Sequence, residues 1–186
     1  MADASEASAK TADAPEADAP EADARDDVVY SNVSYIAPAT VSPDLLTARV
    51  LMVVGAAVVG GSSVYHATYT REGQSLDVST MMAYVAGLTC AIAAQWTLWA
   101  WAVLPVAAVG YWMYPWRIDS YVHVPVWGAA ALVMLAVQVG WWATPAAVLA
   151  SAGGAIKVSQ PGADSRLHAA WHVLGGLAGG AAMWVL

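Results

Sequence analysis

Long apolar runs alternate with short polar breaks along the chain, and several runs reach the roughly 20 residues that a helix needs to cross about 30 Å of hydrocarbon. Residues 45–69, 77–95, 98–116, 121–141 and 167–186 read as transmembrane helices, with a shorter run at 142–157. Residues 28–43 (VVYSNVSYIAPATVSP) form a further segment that is short, polar and interrupted by Pro38. The pattern predicts an all-α, polytopic membrane helix bundle of seven transmembrane helices, the first of them weak. The breaks at Arg71-Glu72-Gly73, Gln95-Trp96-Thr97, Pro115 to Asp119 and Ser159 to Asp164 carry turn and helix-start residues. Tyr111, Trp112, Tyr114, Trp116 and Tyr121 cluster at one break, and Trp96, Trp99, Trp101, Trp141 and Trp142 near two others. Trp and Tyr favour the membrane interface, which supports this register.

Charge divides the chain in two. Residues 1–27 hold nine of the 14 carboxylates and two of the seven basic groups, with almost no bulky apolar side chain. Such a stretch cannot offset the entropy of ordering itself, so it is expected to be a disordered, solvated acidic tail preceding a bundle over 28–186. From Val28 onward the acids Asp44, Glu72, Asp77, Asp119 and Asp164 balance the bases Arg49, Arg71, Arg117, Lys157 and Arg166. A neutral, oily body excludes an electrostatic nucleic-acid binder and argues against a soluble enzyme. No protein partner is evident. The one cysteine, Cys90, can form neither an internal disulfide nor a thiolate cluster, so a metal would have to be held by His or carboxylate.

Ionisable groups inside a membrane are costly and mark functional sites. Helices of alternating direction bring the end of 45–69 and the starts of 77–95, 121–141 and 167–186 to one side. His66, Asp77, His123, His168 and His172 then share that side. His168 and His172 are four residues apart, on one helix face, and His66 offers a third nitrogen from a neighbouring helix. Three neutral imidazoles with one open position are the donor set of a catalytic zinc. Ser62 lies one turn before His66, and Asp77 eleven residues after it, where a carboxylate can take a proton. Blander roles compete: interhelical hydrogen bonding for the histidines, an N-cap on helix 77–95 for Asp77, and an interfacial position for His123. Gly55, Gly60, Gly61, Gly175, Gly176, Gly179 and Gly180 are expected to let helices approach closely rather than to bind phosphate.

At these residues the chain resembles the alkaline ceramidase family, within the CREST superfamily of seven-helix membrane hydrolases and receptors that includes the adiponectin and progestin receptors. The matching text is Gly61-Ser62-Ser63-Val64-Tyr65-His66-Ala67-Thr68, Leu76-Asp77 and His168-Ala169-Ala170-Trp171-His172-Val173-Leu174. A fainter similarity runs from Ser31-Asn32-Val33 to Pro38 and corresponds to the family's first helix. The resemblance implies zinc ligands at His66, His168 and His172, a general base at Asp77 and an oxyanion-stabilising hydroxyl at Ser62. It implies hydrolysis of the amide bond of ceramide-like membrane lipids to a sphingoid base and a fatty acid.

Two features depart from the family. Only Asp26 and Asp27 stand where it has an acidic calcium site, and Val78 stands where it tends to carry Glu. Arg71, Arg117, Lys157 and Arg166 collect on the motif side and Arg49 alone on the other, so the site is expected to face the cytoplasm. A receptor-like or lipid-binding protein with a non-catalytic zinc is the alternative. Haem fits poorly because the His pair lies on one helix, and the last helix has no lysine for retinal.

Overall fold

The computed structural model describes residues 29–114, 120–159 and 165–186. The expected acidic tail and the breaks at 115–119 and 160–164 lie outside them. The described residues form helices joined by short connections, with no strand among them. A short helical segment over 29–40, part of it a tight turn at Asn32–Ile36, precedes six helices: α1 (Leu45–Thr68), α2 (Arg71–Ala94), α3 (Val103–Met113), α4 (Ser120–Val139), α5 (Thr144–Ser159) and α6 (Ser165–Trp184). Three stretches are long and apolar enough to cross a membrane: α1, α2, and Val122–Ser159. The last is broken at Gly140, whose φ of +61° only glycine adopts without strain. Leu98–Met113 is apolar but shorter. The residues at 29–40 extend only about 18 Å, less than the hydrocarbon thickness.

Local chemistry explains the boundaries. Asp44 caps α1, accepting from the Thr47 N–H at 2.9 Å and its hydroxyl at 2.6 Å. Those bonds hold the exposed Asp44 carboxyl below its ordinary pKa. The sequence places a loop at Arg71-Glu72-Gly73 and a helix start at Asp77, and the structure corrects both. The connection is Tyr69-Thr70 alone, with Tyr69 in the left-handed region (φ 49°) and the Thr70 hydroxyl accepting from the Gly73 N–H at 3.1 Å. With Thr70 as cap and Glu72 in the first turn, the polar stretch becomes helix, and Asp77 sits in α2 rather than at its end.

α2 is the centre of the bundle. In its most apolar window 67% of residues are buried, against 6% for the Val122–Ser159 stretch, which leaves its valines exposed. α1 pairs with α2 and α5 with α6, while α3 and α4 pack on α2. The segment at 29–40 is a wedge against both α1 and α6. Glycine makes that fit possible: a Cβ on Gly55 would come within 2.5 Å of the Tyr35 carbonyl oxygen, and one on Gly176 would overlap the Ser34 carbonyl. Gly61 likewise meets Thr80 and Leu76 across the α1/α2 seam. Gly60, expected to join them, faces open space. Trp96, Trp99, Trp112, Tyr114, Trp141 and Trp142 are exposed at helix ends, as interfacial aromatics should be.

Replacing Gly176 by Ala should lower stability by about 1–3 kcal/mol through overpacking against the wedge. The same change at Gly60 should be neutral or stabilising by up to about 1 kcal/mol. Thermal melts of the two variants in detergent check this, and equal melting temperatures would contradict the placement of the wedge.

Candidate metal centre

Periodicity builds the site. On α1 the buried positions Thr47, Leu51, Gly55, Val58, Ser62 and His66 form one stripe that ends in the last turn. On α2 Asp77 stands two turns in, with Met81 and Tyr84 below it on the same side. On α6 Trp171 and His172 are buried and His168 half-buried, above a stripe that continues through Ala178 and Ala182.

These stripes bring His66, His168 and His172 together. One ring nitrogen from each lies within 4.8 Å of the others. The ring centroids are 4.6 Å apart for His168 and His172, 4.9 Å for His66 and His168, and 5.8 Å for His66 and His172. The Ser31 hydroxyl lies 3.2 Å from His172 Nδ1 and the Ser34 hydroxyl donates to the His172 carbonyl at 2.9 Å, so the wedge orients this imidazole and leaves Nε2 for the cluster.

The donor set fits a metal ion. His66 Nε2 is buried without a hydrogen-bond partner, a state that costs about 1–3 kcal/mol unless something fills it. Ser62, one turn before His66 on α1, faces the Asp77 side chain of α2. Neither Ser62 Oγ nor Asp77 Oδ1 makes a well-formed hydrogen bond, so both retain capacity for a ligand. Asn32 of the wedge and the Tyr84 hydroxyl are likewise buried without a hydrogen-bond partner. His123 is not part of the group; its ring packs edge-on against Tyr111 at 5.8 Å.

Two neighbours of the site carry no spacing signal in the sequence. Ser31 reaches it from a segment 141 positions away. Lys157, which sequence reasoning uses only to orient the bundle, places its ammonium 4.4 Å from the centroid of the Trp171 ring. Between α2, α4, α5 and α6 lies an apolar cavity of about 370 Å³ whose walls include Met81, Tyr84, Leu132, Ala150, Trp171 and Ala178. Trp171 is shared: its ring is 5.4 Å from that of His168 and 4.9 Å from that of His172.

No family model, curated protein or solved structure matches the chain.

If the wedge orients His172 for a metal, Ser31→Ala should weaken metal affinity about 10- to 100-fold while leaving the fold intact. Chelator competition on the purified protein measures it, and unchanged affinity would place Ser31 outside the metal's support.

Proposed function

We propose that this protein is a zinc-dependent intramembrane hydrolase that cleaves the amide bond of ceramide-like lipids, with the ligand set of the alkaline ceramidases it resembles. The observation that carries the reading is the convergence of three imidazoles, two of them buried, two of which pack against Trp171 in the wall of an apolar cavity. Three nitrogens with carboxylate and hydroxyl alongside are the donors of a catalytic zinc rather than a closed structural one.

A zinc ion held by His66, His168 and His172 supplies Lewis acidity toward water and toward a carbonyl oxygen. The chain's own groups do the rest. Asp77 takes the proton of the attacking water and passes it to the leaving amine. The Ser62 hydroxyl donates to the oxygen that gains charge as the carbonyl carbon becomes tetrahedral. The acyl chain lies in the cavity, whose volume falls within the range of roughly 300–1,000 Å³ of small-molecule sites. α4 packs chiefly on α2 and α5 chiefly on α6, and the lipid enters from the bilayer between α4 and α5. The excess of basic residues on the site side in the sequence favours a reaction at the cytoplasmic face.

Purified wild-type protein should hold one zinc per chain and release fatty acid from a labelled ceramide. His66→Ala should lose both, whereas Asp77→Asn should keep the metal and slow hydrolysis by about 100-fold or more. Full hydrolysis by His66→Ala would overturn the proposal. A wild-type protein that binds ceramide and zinc but never cleaves the lipid would instead be the receptor-like alternative.

A further inference from the structure

The apolar cavity is long, and its two ends differ. Its lining runs from Met81 to Ile92 on α2, from Val124 to Leu135 on α4 and from Trp171 to Ala182 on α6. Each stretch advances eleven positions, so the cavity follows the helices for about 16 Å. Trp171 marks the end nearer the metal centre, where its ring packs against both α6 histidines. At the far end Ile92, Leu135, Ala146 and Ala182 belong to one buried cluster with Ala143 and Met183. The cavity is blind there.

Its mouth lies to the side. α4 meets the α5 side chiefly through the Gly140–Ala143 turn, next to the floor. Farther from that turn, Pro125 and Ala129 of α4 and Ser151 and Gly154 of α5 line the cavity and are exposed. A Cβ on Gly128 or Gly154 would meet nothing within 4 Å. The mouth therefore opens on a stretch apolar enough to cross a membrane, where the neighbour is a lipid tail.

A blind slot with apolar walls discriminates by length. An acyl chain too short for it leaves wall atoms without contacts, and one too long has to buckle or force the floor apart. At about 1.25 Å of advance per tetrahedral C–C bond, a depth of about 16 Å takes roughly 13 bonds, an acyl chain of about 14 carbons. We propose that the cavity is a chain-length ruler with Leu135 and Ala146 as its stop, which selects ligands whose acyl chain has about 14 carbons. As a statement about substrates this rests on the hydrolase reading above, whereas as a statement about binding it needs no turnover.

Saturated fatty acids share one carboxylate and differ only in length, so the contribution of the head cancels along the series. Competition of decanoate through arachidate against radiolabelled myristate, on the full-length protein in nanodiscs, reads the preference. Each affinity is referred to the acid's concentration in the bilayer, because every added methylene favours lipid as well. The wild type should bind myristate best and stearate about tenfold more weakly. Leu135→Ala removes an isopropyl group from the floor and should move the optimum to palmitate. Ala150→Leu, one turn nearer the mouth than Ala146 on α5, should move it to laurate or shorter. Melting temperatures establish which variants are folded, and the wild-type profile decides even where neither is.

An affinity that rises through stearate and arachidate, or that ignores length, would overturn the proposal. So would an optimum that stays in place in both folded variants. Length selection by a protein that cleaves no lipid amide removes the hydrolase reading and leaves the ruler. Amide cleavage and fatty-acid binding that are both indifferent to acyl length do the reverse.

Discussion

Three imidazole nitrogens held within 4.8 Å of one another inside an apolar bundle are the constraint on which the rest of the structure depends. Neutral imidazoles have one donor and one acceptor nitrogen each, and hydrocarbon offers neither a partner. His66 Nε2 is left without one by the protein as well. The bundle nonetheless spends its closest packing on this arrangement. Gly61 and Gly73 bring α1 against α2, and Gly55 and Gly176 admit the wedge whose Ser31 orients His172. A cation that accepted three nitrogen lone pairs would offset that cost.

The main elements were legible in the sequence because membrane helices are written in long, unbroken hydrophobic runs. The cluster was legible for a related reason: His168 and His172 share a face by spacing, and alternating helix direction alone puts His66 at the same depth. Other features follow from local or distant partners that hydropathy does not register. The polar stretch Arg71 to Ser75 reads as a loop by composition, yet the Thr70 cap and the Glu72 charge at the helix start make it the first turns of α2. That shift matters to the site, since it moves Asp77 from a capping position to one inside the helix.

Ser31 and Lys157 were invisible as site residues for different reasons. Ser31 meets His172 across 141 positions, with no spacing rule to link them. Lys157 looks like any interfacial base until its ammonium is seen over Trp171. Gly60 shows the converse, a small residue in a small-residue run that packs against nothing. Which glycines matter is decided by where neighbouring backbones pass, and a single chain's sequence does not carry that.

The site and the cavity together explain why so polar a cluster is kept in so apolar a chain. Three imidazoles from α1 and α6 converge, and Trp171 both packs against two of them and lines the apolar cavity. The most direct measurement of this account is X-ray absorption at the zinc edge of the purified full-length protein. The account predicts one zinc per chain with three imidazole nitrogens at about 2.0–2.1 Å and a light-atom fourth ligand. Protein that takes up no zinc, or holds it through fewer than three imidazoles, would contradict it.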